Sequence, residues 1–182
     1  VDSEPTISLS VFAKNRAQGA GGAGGAIATM EGSFATVSGC AFIENHAAIQ
    51  GGAIYGVNGG SVTATRSVFL GNRTASIGSV AYARGLNSLV DPQDSEIRFD
   101  NCVFAGNEAG LGGALYLGGW AEVALVNSLM VDNRVGSSPT AGSAGIISES
   151  ASNALIATNS TFYRHADGLV DYPADPGCGV PI

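Results

Sequence analysis

The chain has 182 residues, which is enough for one domain with a sizeable core. Only 13% of the residues are charged, about half the usual share, and 27 are glycine. The net charge of −7, with eight Lys and Arg, argues against nucleic acid and anionic membrane surfaces as partners. No apolar run approaches the length of a membrane span, so no membrane insertion by this segment is expected.

A four-residue motif, F-x-x-N, recurs along the whole chain. It begins at Phe12, Phe42, Phe69 and Phe104, with variants that begin at Met130 and Phe162. Between residues 12 and 162, five intervals cover 162 − 12 = 150 residues, so the mean period is 30 residues. Periods of this length are typical of proteins built from stacked coils.

A glycine-rich turn follows each F-x-x-N motif. It reads Gly24-Gly25-Ala26-Ile27, Gly51-Gly52-Ala53-Ile54, Gly78-Ser79-Val80-Ala81 and Gly112-Gly113-Ala114-Leu115. The recurrence indicates turn geometry rather than a phosphate-binding loop, because no G-x-x-x-x-G-K-[ST] sequence is present. Two linked motifs in four good copies predict one structural unit per repeat.

Short alternating stretches precede each Phe, as expected of half-buried strands. Gly or Asn three residues before the Phe predicts a left-handed corner at Gly39, Asn101, Asn127 and Asn159. The Phe side chains should stack in the core, and the motif Asn side chains should form a hydrogen-bonded ladder. The fold class is therefore predicted as an all-β, right-handed parallel β-helix (solenoid) of about six coils with three short strands per coil. It should occupy residues 1–171 as one domain, with a Pro/Gly-rich tail or cap at residues 172–182.

F-x-x-N followed by G-G-A-I resembles the repeat of the polymorphic outer-membrane protein family, over residues 5–165. Members of that family carry β-helical passenger regions on the cell surface. The resemblance implies a surface-exposed adhesive or structural rod. It carries over no catalytic residue, because the family's motifs are structural.

An acidic cluster lies in the longest insertion, at Asp91, Asp94, Glu96 and Asp100. These carboxylates suggest a weak calcium candidate, or a carboxylate pair that acts on a polysaccharide as in β-helical lyases and glycosidases. The alternative is a solvated loop, because Pro92 and Ser95 lie among the acids. Fold analogy alone does not favour catalysis.

Hydroxyl side chains form a second pattern on the outward positions of one strand. The T-x-[ST] array comprises Thr6, Ser8, Thr36, Ser38, Thr63 and Thr65, and it is interrupted in the next two repeats. Regular hydroxyl arrays suit ice or glycan surfaces, although Thr is also a good strand former.

Three tyrosines, Tyr55, Tyr82 and Tyr116, follow the glycine turns and are expected to stack pointing outward. Such a stripe either binds sugar rings or packs as an ordinary strand ladder.

His46 and His165 are too far apart in the stack to share a metal.

Cys40 and Cys102 occupy the same repeat position two coils apart, about 9.6 Å at the usual strand spacing, which is beyond disulfide reach. We predict two buried free thiols, while Cys178 lies in the tail.

Two glycosylation sequons begin at Asn72 and Asn159. Asn72 belongs to the inward ladder, so Asn159 is the better candidate for modification.

The pattern favours a non-enzymatic structural or adhesive module, extracellular or at the cell surface, within a larger protein or assembly. A protein or glycan partner is expected, with self-association through the coil ends as a further route. No cofactor is expected. Two alternatives stay open: a polysaccharide-active β-helix enzyme, and an ice- or glycan-binding protein that uses the hydroxyl array.

Overall fold

Short parallel strands build the whole molecule. The computed structural model describes residues 3–86, 94–136, 144–150 and 152–164, together with the backbone of residues 170–171. In these residues 23 strands form four parallel sheets that follow one another around each coil. Each strand pairs with its counterpart one coil away, so the chain winds as a parallel solenoid.

The four sheets are numbered in the order in which the chain visits them. The first sheet contains Thr6–Ser8, Phe34–Ser38, Ser61–Thr65, Ser95–Asp100, Ala121–Val126 and Ala154–Thr158. The second contains Val11–Ala13, Ala41–Ile43, Val68–Leu70, Val103–Ala105, Leu129–Val131 and Thr161–Tyr163. The third contains Arg16–Ala17, His46–Ala47, Arg73–Thr74, Glu108–Ala109 and Arg134–Val135. The fourth contains Ile27–Met30, Ile54–Val57, Ala81–Arg84, Leu115–Leu117, Ile146–Ser148 and Val170–Asp171.

Each complete coil has four strands, whereas the sequence predicted three. The additional strand lies in the third sheet, directly after the motif Asn, and has only two residues. Two residues are too few to show the alternation by which a strand is recognised in a sequence. The described residues include five complete coils and the first, second and fourth strands of a sixth, in agreement with the predicted all-β β-helix.

The motif Phe side chains form a stacked column inside the coils, as predicted. Ring centroids are 4.8 Å apart between Phe12 and Phe42, 4.6 Å between Phe42 and Phe69, and 5.2 Å between Phe69 and Phe104. Met130 continues the column. Because the rings follow the strand spacing, one coil covers the apolar face of the next.

The motif Asn side chains form the predicted ladder. Each hydrogen bond between two of these side chains has its donor on the earlier coil and its acceptor on the next. Asn72 donates from Nδ2 to Phe42 O (2.9 Å) and to Asn107 Oδ1 (3.0 Å). Its own Oδ1 accepts hydrogen bonds from the backbone N–H and the Nδ2 of Asn45, both at 3.0 Å. Asn45, Asn72, Asn107 and Asn133 are fully buried, so the ladder satisfies polar groups that have no access to water.

Left-handed backbone makes the corners of each coil. All four predicted corner residues, Gly39, Asn101, Asn127 and Asn159, have positive φ. The sequence did not indicate that Leu9 (φ 49°) and Arg66 (φ 49°) take the same conformation at the equivalent position. A second left-handed corner lies one residue before the motif Asn, at Lys14, Glu44, Gly71, Gly106, Asp132 and Arg164.

The glycine turn is required by close backbone contact. Gly51 has φ of 62°, and a Cβ atom on Gly52 would lie 2.2 Å from Ser79 O and 2.6 Å from Arg73 O. No side chain fits at that distance, so glycine lets two coils approach each other at this turn.

Candidate functional site

The outward side of the first sheet carries the predicted hydroxyl array, together with Glu96 and Asp100 of the acidic cluster. The strands are in register, so Thr6, Thr36 and Thr63 form one column on neighbouring coils. Ser8, Ser38 and Thr65 form the parallel column. The predicted hydroxyl array is therefore assembled, and Thr65 Oγ1 contacts Ser38 Oγ at 3.1 Å.

The hydroxyl array ends where charged residues replace it. Arg98 pairs in register with Thr63, and Asp100 with Thr65. On the following coil the same positions are Ala124 and Val126. The array therefore covers three coils, and its role in binding stays a prediction.

The acidic cluster is only partly brought together. Asp91 lies outside the described residues. Glu96 and Asp100 lie two outward positions apart on one strand, with Arg98 between them, and alternate positions on a strand are separated by about 6.6 Å. In the residues that the structure describes, no group of three His, Cys, Asp or Glu side chains is arranged to hold a metal ion.

A pocket that the sequence reading missed lies beside Glu96. Glu96 and Glu122 are register partners on neighbouring strands, so their side chains project in the same direction from adjacent coils. They line a pocket of about 270 Å³ with Asp94, Ser61 and the only Trp of the chain, Trp120.

Two carboxylates on adjacent strands repel each other, and a folded protein pays for that repulsion in stability. A carboxylate pair beside an aromatic ring is a combination found in sugar-binding sites. The repeat contains a signal for this carboxylate pair. Glu96 and Glu122 both lie eight residues before the core residue of their motif, which is Phe104 in one coil and Met130 in the next.

The tyrosine stripe is stacked as predicted, on the outward side of the fourth sheet. Ring centroids are 5.5 Å apart between Tyr55 and Tyr82 and 5.6 Å between Tyr82 and Tyr116. Tyr82 is 2% and Tyr116 is 9% exposed, and both pack with Val57 in a cluster separate from the main core. The stripe therefore packs as a strand ladder rather than presenting an open platform for sugar rings.

The buried tyrosine hydroxyls remain protonated. Tyr116 Oη donates a hydrogen bond to Glu149 Oε1 at 2.5 Å. Burial, followed by this hydrogen bond and the Glu149 charge, raises the pKa of Tyr116 well above its ordinary value. Burial also raises the pKa of Tyr82, while the neighbouring Arg84 opposes that rise.

The two predicted free thiols are confirmed. Cys40 and Cys102 are buried and unbridged, and Cys102 Sγ lies 3.4 Å from Ala64 O. Burial raises the pKa of Cys102 to about 11, so this thiol is a poor nucleophile near neutral pH. Cys178 and His165 lie outside the described residues.

The two sequons differ in accessibility. Asn72 is fully buried in the ladder, whereas Asn159 is exposed at a left-handed corner. This contrast supports Asn159 as the better acceptor, and its modification stays a prediction.

Comparison with known families agrees with the geometry. The family model described as "Right handed beta helix region" matches residues 2–162 of the chain. No curated protein and no solved structure gave a significant match. Within the described residues there is no helix with the length and apolar character needed to cross a membrane. The family match spans the first coil through the second-sheet strand of the sixth, and the chain therefore belongs to the right-handed β-helix region family.

Proposed function

We propose that this chain is a non-enzymatic structural or adhesive module of a larger extracellular or cell-surface protein or assembly. The observation that carries the proposal is that the recurring residues have structural roles. The Phe side chains form the core column, the Asn side chains form the ladder, and the Gly residues allow the tight turns. Some outward positions differ between coils: Arg98 and Asp100 replace the hydroxyl array in the fourth coil, and Ala124 and Val126 replace it in the fifth. The likeness of the repeat to polymorphic outer-membrane proteins supports a surface location.

A binding assay that also detects reaction products tests this proposal. The purified chain is immobilised and presented with a panel of polysaccharides and secreted proteins, while reducing ends and unsaturated sugars are assayed in the eluate. We expect at least one panel member to be retained with no new products. Product formation, or no retention of any panel member at high chain density, would contradict the adhesive proposal.

Self-association through the coil ends is the second part of the proposal. Ile7 and Phe12 in the first coil are only partly buried, whereas their inner counterparts Val37 and Phe42 are fully buried. Leu9, beside them, is 87% exposed. Open strand edges with apolar side chains favour pairing with another chain.

Sedimentation velocity over a range of concentrations tests this association. Leu9→Glu should shift the chain towards monomer, because a charge at an open edge opposes pairing. Leu111→Glu is the matched control, since Leu111 is also exposed but belongs to an inner coil. An equal effect of the two variants, or a wild-type chain that stays monomeric throughout, would count against end-to-end association.

A polysaccharide-active enzyme is a second candidate, supported by the pocket of Glu96, Glu122 and Trp120. If the two carboxylates act on a glycosidic bond, Glu96→Gln and Glu122→Gln should each abolish product formation while Glu4→Gln leaves it intact. The absence of products from a panel of neutral and acidic polysaccharides would remove this candidate.

Ice or glycan binding through the hydroxyl array is a third candidate, supported by the register of the two hydroxyl columns. Thermal hysteresis, or retention on a glycan, should be lost in the double variant Thr36→Leu/Thr63→Leu. Their absence in the wild-type chain would remove this candidate.

A further inference from the structure

Basic side chains are concentrated on one side of this acidic protein. The second corner and the third sheet carry five of the eight Lys and Arg of the chain, namely Lys14, Arg16, Arg73, Arg134 and Arg164. The net charge of the whole chain is −7, so this concentration opposes the overall charge. A local positive surface raises the local concentration of anionic ligands even on a protein whose net charge is negative.

The register of the third sheet places the basic side chains in a column. The first residue of each two-residue strand points outward, and these residues pair in the order Arg16, His46, Arg73, Glu108, Arg134. Arginines therefore recur on alternate coils, about 9.6 Å apart at the usual strand spacing. The second residue of each strand faces inward, as the full burial of Ala47 and Ala109 shows.

An open groove of about 680 Å³ runs over the first three coils of this column. It is lined by Lys14, Arg16, Glu44, His46, Gly71 and Arg73. The corner residue of the third coil is glycine, so no side chain closes the groove between Glu44 and Arg73. Glu44 is the one carboxylate among these lining residues.

The acids present leave part of the positive charge free. Lys14 Nζ lies 3.6 Å from Glu44 Oε2, and Arg73 Nε lies 3.8 Å from Glu108 Oε2. All four side chains are largely exposed, so these pairs are weak and exchange readily with a ligand. Among the described residues no carboxylate pairs with Arg16.

We propose that this groove binds an acidic oligosaccharide that carries sulfate or carboxylate groups. Arg16 and Arg73 would each hold one anionic group, because a guanidinium donates two parallel hydrogen bonds to sulfate or carboxylate oxygens. His46, between them, adds an imidazole N–H donor. The regular spacing along the rod suits a linear chain with repeated anionic groups.

Nucleic acid fits the groove less well than an acidic sugar. No Phe, Tyr or Trp stands among the described residues that line the groove, and single-stranded nucleic acid binds largely by stacking its bases on aromatic rings. The site lies on a different sheet from the hydroxyl array and requires no surface location. Its failure and the failure of the proposed function are therefore separate outcomes.

Calorimetric titration of the whole chain provides the test. The probes are a heparin-derived hexasaccharide, a galacturonate hexamer, neutral maltohexaose and a single-stranded DNA hexanucleotide. The variant Arg16→Gln/Arg73→Gln should weaken binding of the anionic sugar roughly tenfold or more, because it removes two charged hydrogen-bonding groups. The two anionic sugars distinguish recognition of sulfate from recognition of carboxylate.

The chain offers a matched control for net charge. Arg66→Gln/Arg98→Gln removes the same two charges from the corner and outward side of the first sheet, and should change the affinity by less than about twofold since distant exposed charges are screened. Glu44→Gln should tighten binding, a gain that misfolding does not produce. Maltohexaose should not bind.

Three results would overturn the proposal. The first is that neither anionic sugar binds at low salt. The second is an equal loss of affinity in the two double variants, which would mean a response to net charge alone. The third is single-stranded DNA binding as tightly as the better sugar, which would make the groove a nucleic-acid site.

Discussion

The ladder of Asn side chains allows the same substitution to be compared at two depths. Asn72 lies inside the ladder, fully buried, where its side chain takes part in four hydrogen bonds. Asn15 lies at the first coil and is exposed, and its side chain donates one hydrogen bond, from Nδ2 to Asn45 Oδ1 (2.8 Å). No described residue donates to Asn15 Oδ1. Asn72→Ala and Asn15→Ala therefore remove chemically identical groups from different environments.

The expected magnitudes follow from the groups that lose their partners. Asn72→Ala leaves the backbone N–H of Asn45 and one N–H of its amide without acceptors in a buried site. Each unsatisfied buried group costs about 1–3 kcal/mol, so the loss should be about 2–6 kcal/mol. A whole domain is stable by only about 5–15 kcal/mol. Asn15→Ala removes one hydrogen bond at an exposed end and should cost about 0.5–1.5 kcal/mol.

Guanidinium denaturation followed by circular dichroism measures the difference. The midpoint should fall much further for Asn72→Ala than for Asn15→Ala, with the wild-type chain as reference. Equal shifts of the two midpoints would refute the reasoning, because they would show that burial within the ladder adds nothing to the contribution of an Asn.

Three further predictions concern single residues. Ser79→Ala should raise the free energy of unfolding by about 1 kcal/mol, because the buried Ser79 hydroxyl has no hydrogen-bond partner among the described residues; a lower melting temperature would contradict this. The pKa of Cys102 is raised on folding from 9.0 to about 11. The contribution of the protonated thiol to the free energy of unfolding is therefore complete below pH 9.0 and is lost as pH rises towards 11. The fall in stability over that window should be shallower in Cys102→Ala, and parallel curves would disprove the assignment. In a host that glycosylates, mass spectrometry should find glycan on Asn159 and none on Asn72, since only Asn159 is exposed.

The repeat was readable because stacking places identical residues on top of one another. The Phe and Asn of the motif, such as Phe42 and Asn45, occupy the same positions in successive coils, so the neighbours of a side chain are known once the period is known. The same argument predicted the separation of Cys40 from Cys102 and the register of Thr36 with Thr63. These features depend only on the period and on strand spacing, and the structure agrees with them.

The candidate sites were less predictable because they depend on how the outward side chains are arranged around the coil. Glu96 and Glu122 form a pair because their strands are in register. Trp120 lies beside them because of the turn that precedes the Ala121–Val126 strand. The basic column of Arg16 and Arg73 was hidden by the two-residue length of the third-sheet strands.

The amino-acid sequence by itself determined the stacked coil, its core column and its ladder, since these follow from local spacing repeated along the chain. Only the tertiary structure decided that each coil has four strands, that Arg66 turns a corner normally given to Gly or Asn, and that Tyr82 is covered. The physical reason is that contacts between coils override weak local preference at a corner. The exposure of an outward side chain depends on what packs against the rod, which no repeat period encodes.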